Sequence, residues 1–100
     1  MSKFCLTLLS PPSIEEKLRD LLLDAVGDEV FTSIATFSHG LSHNRLSTVE
    51  QVMGCSASAQ FQVIVTEPEM TDLLRRLHDE FRGTGLRYWA NSLVIEGEIT

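Results

Sequence analysis

Cysteines and long apolar runs are scarce in this sequence. Two cysteines, Cys5 and Cys55, are too few for the disulfide framework of a small secreted domain, and they form no CxxC pair. No run of about 18 apolar residues is present to span a membrane. No basic segment followed by an apolar one marks a secretory leader. We therefore expect reduced thiols and a cytoplasmic location.

Positive charge is also limited. The chain has 8 Lys and Arg against 14 Asp and Glu, a net charge of −6, and its basic residues are scattered. Nucleic acid and anionic membrane surfaces attract clustered Lys and Arg, so neither is expected as a partner. A length of 100 residues with 43% apolar content predicts a single globular domain over residues 1–100.

Hydrophobic periodicity divides the chain into strands and helices. Strands have apolar residues at every second position, whereas amphipathic helices have them every three or four residues. These patterns predict strands at 3–9, 30–38, 55–66, 86–90 and 93–99, and helices at 13–27 and 66–83.

Capping boxes mark the starts of both predicted helices. Ser13 precedes Glu16 by three residues, and Thr66 precedes Glu69 by three residues, the spacing at which side chain and backbone cap each other. Gly27 and Gly83 then supply the stops. The same pattern at 47–50 predicts a short helical turn within the long connection between the second and third strands.

The order β-α-β-β-α-β predicts an α+β, ferredoxin-like fold. Shifting the first half of the chain by about 56 positions superposes Ser10 on Thr66 and Gly27 on Gly83, as two copies of one βαβ unit would. Two such units interleave into a four-stranded antiparallel sheet with both helices on one face and the first and third strands central. The segment 93–99 would be an extra C-terminal strand.

The second face of this sheet also carries apolar residues in the prediction. The alternation is assigned so that Cys5, Thr7, Leu9, Phe61, Val63 and Val65 meet the helices, whereas Phe4, Leu6, Leu8 and Ile64 face away. A second copy of the sheet is the simplest cover for such a patch. We therefore expect a homo-oligomer with 93–99 as an intersubunit strand; the alternative is that this tail folds over its own sheet.

The element order and two segments resemble the small PII-like proteins, which are related to the nitrogen regulatory proteins. The segments are Thr48-Val49-Glu50-Gln51-Val52-Met53-Gly54, which ends the long connection, and Tyr88-Trp89-Ala90-Asn91. The resemblance is to an uncharacterised branch associated with heavy-metal efflux. It implies a trimeric signalling or sensor protein, with ligand clefts between subunits and a mobile effector loop at 38–54 that contacts a protein partner. In that loop it points to Ser38, Gly40, Arg45, Glu50 and Gln51.

The chain departs from true PII proteins after the second helix. Their phosphate-binding turn of the Gly-Asp-Gly-Lys type is replaced by Gly83-Thr84-Gly85-Leu86-Arg87, so no nucleotide motif is present. No tyrosine lies in the loop; the sole tyrosine is Tyr88. Gly83, Gly85 and Arg87 nevertheless form a candidate anion site, because a glycine-rich turn can present backbone N–H groups. The other arginines near the end of the second helix, Arg75, Arg76 and Arg82, could also meet the anion. The alternative for the arginines here is helix C-terminal and ion-pair contacts with Asp79 and Glu80.

His39, His43 and Cys55 are candidate metal ligands. The two histidines are four residues apart and would share a face in a helix or a strand, so with Cys55 or a carboxylate as third ligand they could bind Zn, Cu or Ni. The alternative is a pair of solvated loop histidines, because structural zinc sites normally have four protein ligands. With the resemblance, this site suggests an alternative function as a metal-binding accessory protein of a heavy-metal efflux system.

Catalytic patterns are missing from the sequence. It contains no Ser/His/Asp order and no P-loop, so we do not predict an enzyme. An enzyme or heme-handling protein on a dimeric ferredoxin-like scaffold stays open as a third class. It would need a deep pocket between sheet and helices.

Overall fold

The computed structural model describes residues 2–27, 29–40 and 55–100. Among these residues, β1 is Lys3–Ser10, α1 is Glu15–Ala25, β2 is Phe31–His39, β3 is Cys55–Thr66, α2 is Glu67–Glu80 and β4 is Arg87–Ser92. The predicted order of strands and helices is confirmed. Neither helix in this part of the chain is long and apolar enough to cross a membrane.

The four strands form one antiparallel sheet in the order β2-β3-β1-β4. The first and third strands are central, as the sequence predicts for a ferredoxin-like fold. Pairing of β2 with β3 extends from Phe31 opposite Val63 to His39 opposite Cys55. This register places the last residue of β2 beside the first residue of β3, so the long connection begins and ends at the same end of the sheet.

The predicted extra strand at 93–99 does not form in this chain. β4 ends at Ser92, and the Leu93 N–H donates a hydrogen bond of 3.0 Å to the carbonyl of Lys3, the first residue of β1. Beyond Leu93 the tail has passed the end of its neighbouring strand, so it has no strand among the described residues to pair with. Val94, Ile95 and Ile99 are almost fully exposed there.

The two helices begin differently. At α2 the predicted capping box is confirmed: Thr66 Oγ1 accepts from the Glu69 N–H at 3.4 Å, and the Glu69 carboxylate accepts from the Thr66 N–H at 2.7 Å. The box predicted at Ser13 is wrong. A 3-10 turn, Pro12–Ile14, precedes α1, and its N-cap residue has no side-chain cap. Two consecutive prolines fix the backbone here before a regular first turn can form.

The faces predicted for β1 are wrong by one residue. Leu6 lies opposite Val63 and Leu8 opposite Phe61, so these leucines share the helix-covered face with the β3 core residues. Cys5, Thr7 and Leu9 therefore lie on the other face, with Ile64 opposite Cys5. Both faces of β1 are apolar in sequence, so the alternation did not decide between them.

The core fills the space between the sheet and the helices. Its buried residues are Leu6, Leu8, Leu18, Leu21, Leu22, Ala59, Phe61, Val63, Val65, Leu73, Leu77 and Phe81. The opposite face, called here the outer face, carries Cys5, Thr7, Leu9, Ile34, Gln60, Gln62, Ile64 and Trp89. Lys3 and Arg87 are the only charged residues that the described strands place on it, and Lys3 forms an ion pair of 2.9 Å with Glu96 of the tail. No Asp or Glu of the paired strands lies there.

Candidate functional site

A cavity of about 500 Å³ opens at one end of the outer face. Its volume falls within the range of about 300–1,000 Å³ that is usual for small-ligand sites. The strand ends of β2 and β3, the turn after β1 and the turn before β4 enclose it. Its lining residues are Leu9, Pro11, Pro12, Ser13, Ser38, Ser56, Ser58, Gly83, Thr84, Gly85 and Arg87.

Hydroxyl groups line the strand side of the cavity. Ser38 Oγ and Ser58 Oγ are 2.6 Å apart and share a hydrogen bond across β2 and β3. Ser56, directly opposite Ser38, is 7% exposed and donates to the Ala57 carbonyl. A hydroxyl can both donate and accept, so this wall can rearrange its hydrogen bonds toward a polar ligand.

The second wall is the turn from Gly83 to Leu86. Gly83 and Gly85 have φ angles of 77° and 90°, a conformation that favours glycine. A Cβ atom on Gly85 would lie 3.6 Å from Pro11 Cγ, so the turn before β4 lies close to the turn after β1. In the part of the chain that the structure describes, the N–H groups of Gly83 and Gly85 donate to no protein acceptor. Unpaired donors in such a turn suit an anion.

Charge distribution also favours an anion. Among the described residues, Arg87 is the only charged one that lines the cavity, and no described carboxylate forms an ion pair with it. Arg76 provides a contrast. Its guanidinium lies 2.9 Å from both Glu80 and Asp24, and its hydrogen bonds to these carboxylates raise the pKa of Arg76 above its usual value. In a chain of net charge −6, Arg87 is thus a cation without a partner among the described carboxylates.

The predicted ligand residues Gly83, Gly85 and Arg87 all line this cavity. Of the ion pairs expected in the alternative, Arg76 with Glu80 forms at 2.9 Å, whereas Arg75 pairs with Asp72 at 3.3 Å and not with Asp79 or Glu80. That Gly83, Gly85 and Arg87 contact a ligand stays a prediction.

Sequence reasoning missed the strand side of the cavity. Ser56 and Ser58 alternate with apolar residues along β3, and the same alternation continues through Gln60 and Gln62. This period of two was a usable signal, since polar residues on one side of a central strand mark a face that the core does not occupy. Pro11 and Leu9 carried no such signal.

The predicted metal ligands are only partly described. His39 and Cys55 lie directly opposite each other at the ends of β2 and β3, whereas His43 lies outside the described residues. Nowhere in residues 2–27, 29–40 and 55–100 do three or more His, Cys, Asp or Glu side chains group as a metal site would require. Since neighbouring strand residues face opposite sides, this pair and Ser38 lie on different faces of the sheet.

Few of the predicted effector-loop residues are described. Ser38 lines the cavity, and Gly40, with a φ angle of 80°, follows the end of β2. Arg45, Glu50 and Gln51, together with the helical turn predicted at 47–53, lie outside the described residues.

The cavity does not lie between the sheet and the helices, where an enzyme or heme-handling protein on this scaffold would need a deep pocket. Core side chains, with Leu8, Leu22 and Phe61 at 0% exposure, fill most of the space between sheet and helices. A pocket of about 190 Å³ beside Leu8, Leu77 and Tyr88 does lie there, but it is much smaller than the cavity of about 500 Å³. The cavity opens instead at the end of the outer face. Its position does not support an enzyme or heme pocket between sheet and helices.

Comparisons with known proteins agree on the fold. A DUF3240 family protein from Shewanella baltica OS155 superposes with a TM-score of 0.80 at 15% identity, over 100% of this chain and 99% of its own. The PII-like protein CPII from Thiomonas intermedia K12, solved with ADP, AMP and bicarbonate, has a TM-score of 0.74 at 19% identity, over 99% and 98% of the two chains. No curated protein matches the sequence.

A third similar structure is a PII-like signalling protein from Thermus thermophilus, with a TM-score of 0.65 at 16% identity over 93% of this chain and 88% of its own. The resemblance to PII-like proteins is thereby confirmed at the level of the fold. The association with heavy-metal efflux is not shown. The family described as "Protein of unknown function (DUF3240)" matches residues 1–100, and the chain belongs to it.

Proposed function

We propose that this chain is a small PII-like regulatory protein that binds a small anionic ligand in the cavity at the end of the outer face. The observation that carries the proposal is Arg87, a cation without a carboxylate partner among the described residues, in a cavity lined by serines and by the glycines of the Gly83–Leu86 turn. Gly83, Gly85 and Arg87 are the proposed ligand contacts. The PII-like fold supports a sensor rather than a catalyst, because the neighbours of known type are regulatory.

The cavity lies where the long connection at 38–54 joins the sheet, so a bound ligand would be next to both ends of that connection. Ser38, near the end of β2, and Ser56, near the start of β3, both line the cavity. The connection at 38–54 therefore begins and ends at the proposed ligand site. A ligand that contacts these strand ends would bias the conformations of the connection. We propose that the loop, through Ser38, Gly40, Arg45, Glu50 and Gln51, carries this response to a partner protein.

A second copy would complete the site. The outer face continues from the cavity with exposed Ile34, Ile64 and Trp89, and its described strands place no Asp or Glu there. Interface cores are depleted in charged residues and enriched in aromatic ones. The proposal is a homo-oligomer, a trimer by the PII-like resemblance, with the ligand in clefts between subunits.

Titration calorimetry with ADP, AMP and bicarbonate tests the ligand site, these three being the molecules bound by the Thiomonas protein. We expect one of them to bind the wild-type chain and Arg87→Gln to weaken it roughly 10- to 100-fold, the loss of one charge-assisted hydrogen bond. Arg82→Gln is the matched control. It removes the same charge from an exposed arginine that does not line this cavity. Equal weakening by both variants would mean a general charge effect and would contradict the site.

Hydrogen exchange of the amides at 38–54 tests the link to the loop. With the binding probe present, exchange in this segment is expected to change, while amides of α1 stay the same. If the exchange rates at 38–54 are the same with and without the bound probe, the loop does not respond to the ligand, and that part of the proposal is wrong.

A metal site at the opposite face of the same strand ends is the second candidate. The direct pairing of His39 with Cys55 favours it. The Cβ atoms of directly opposed strand residues lie about 4.5–5.5 Å apart, so both side chains can bind one ion. His43 would be the third ligand, and Zn or Cu the metal. This function would fit an accessory protein of a heavy-metal efflux system.

Calorimetric titration with Zn and Cu tests this candidate. Binding should be lost in a His39→Ala, Cys55→Ser double variant and kept in His78→Ala, which removes a histidine of α2. If the double variant binds metal as the wild type does, the pair is not a site.

A further inference from the structure

Thr84 occupies the turn that forms one wall of the cavity, between two glycines. Its Oγ1 donates a hydrogen bond of 2.7 Å to the carbonyl of Phe81, the C-cap residue of α2. The same oxygen accepts from the Leu86 N–H at 3.4 Å. The Thr84 backbone N–H also donates to the Phe81 carbonyl, at 3.2 Å. One side chain thus connects the end of α2 to the residue before β4.

The proton count of this hydroxyl limits what it can do for a ligand. A threonine hydroxyl has one proton to donate, and here it is directed at the Phe81 carbonyl. In this arrangement Thr84 has no proton left for an anion in the cavity, although it lines that cavity. Its contribution must come through the backbone that it holds.

That backbone is costly to order. Gly83 and Gly85 both have positive φ angles, and glycine loses more conformational freedom on ordering than any other residue. Hydrogen bonds from Thr84 span both of them, from Phe81 on one side to Leu86 on the other. Gly85 also lies beside Pro11 of the turn after β1, so a side chain at position 85 would have to pack against that ring.

We infer that Thr84 is a positioning residue, which fixes the Gly83–Leu86 turn beside the cavity so that its glycine N–H groups, which donate to no acceptor among the described residues, stay available to an anion. The inference rests on the proposed function of the cavity. Donors held in place before binding give more affinity than donors that the ligand must order, because the ordering cost has already been met by folding.

Two variants isolate the hydroxyl. Thr84→Ala and Thr84→Ser both lose the methyl group, and they differ only in the oxygen that makes the side-chain hydrogen bonds. We expect the Leu86 amide of Thr84→Ala to exchange roughly 2- to 10-fold faster than in the wild type, the change that one hydrogen bond of ordinary strength gives. Thr84→Ser should restore slow exchange. Amides of β1 and β3 serve as an internal control for global stability and should stay unchanged.

Affinity for whichever of ADP, AMP and bicarbonate binds the wild type is the second measurement. Thr84→Ala should weaken that binding, and Thr84→Ser should restore most of it. Unchanged exchange at Leu86, or faster exchange with unchanged affinity, would overturn the inference. If none of the probes binds the wild type, the proposed ligand site is wrong. The exchange of the Leu86 amide, measured without ligand, still tests whether Thr84 positions the turn.

Discussion

Leu8 of β1 lies directly opposite Phe61 of β3, and both side chains are fully buried between the sheet and the helices. This pair fixes which face of β1 belongs to the core. Leu9, the next residue, is only partly buried and points to the outer face. The two leucines therefore provide a direct experimental comparison of the two faces.

Leu8→Ala is expected to lower the free energy of unfolding by about 2–5 kcal/mol, since it leaves a cavity in a packed core. Leu9→Ala should cost clearly less, because its side chain is partly exposed in the single chain. Urea denaturation of both variants measures the difference. If Leu9→Ala proved the more destabilising, the original assignment from the sequence, with Leu9 toward the helices, would be right.

Sequence patterns were sufficient for most of the fold and for one wall of the site. Strand and helix order and the cap at Thr66 were predictable because each depends on local spacing. The central positions of β1 and β3 followed from the way two βαβ units interleave. The side on which β1 residues point was not, since Leu6, Leu8 and Leu9 are equally apolar and only long-range pairing with β3 separates them. The cavity wall at Ser56 depends in the same way on where β2 and the turns come to lie.

The capping box at the start of α2 gives a prediction about stability. Thr66→Ala removes the oxygen that accepts the Glu69 N–H, and loss of an N-cap costs about 0.5–2 kcal/mol. Ser13→Ala is the matched control, because the equivalent sequence pattern at Ser13 forms no cap and the substitution should cost little. Urea denaturation at pH 7 compares them. Equal losses in the two variants would contradict the difference between the helix starts.

Glu69 adds a pH dependence to this cap. Hydrogen bonds from the Thr66 backbone N–H and side chain lower the pKa of Glu69 below its ordinary value of 4.5. A carboxyl group with a lowered folded-state pKa stabilises the fold above its unfolded-state pKa, and this stabilisation is lost as the pH falls through the folded-state value. The wild type should therefore exceed Glu69→Gln in stability at pH 7, and the gap should shrink below pH about 4.5. Unfolding curves of both proteins at pH 7 and pH 3 make the comparison; a gap that widens in acid would refute it.

The outer face carries few charged side chains, so it is the expected contact surface between copies of the chain. Ile64 is 41% exposed at the centre of this face, opposite Cys5. If copies of the chain pack through the outer face, Ile64→Asp places a carboxylate in a desolvated contact, where an unpaired charge is strongly unfavourable. We expect light scattering to give a wild-type mass that is a multiple of 11.2 kDa, three for a trimer, and a mass that falls toward 11.2 kDa for Ile64→Asp.

Leu23 provides the control for that experiment. It is 57% exposed on α1, away from the outer face, so Leu23→Asp removes a comparable apolar side chain and adds the same charge without touching that face. Its mass should equal that of the wild type. A monomeric wild type would mean that the outer face and the tail beyond Leu93 are exposed in solution. Dissociation by Leu23→Asp but not by Ile64→Asp would instead move the contact to the helices, and the ligand cavity would then have no second subunit to complete it.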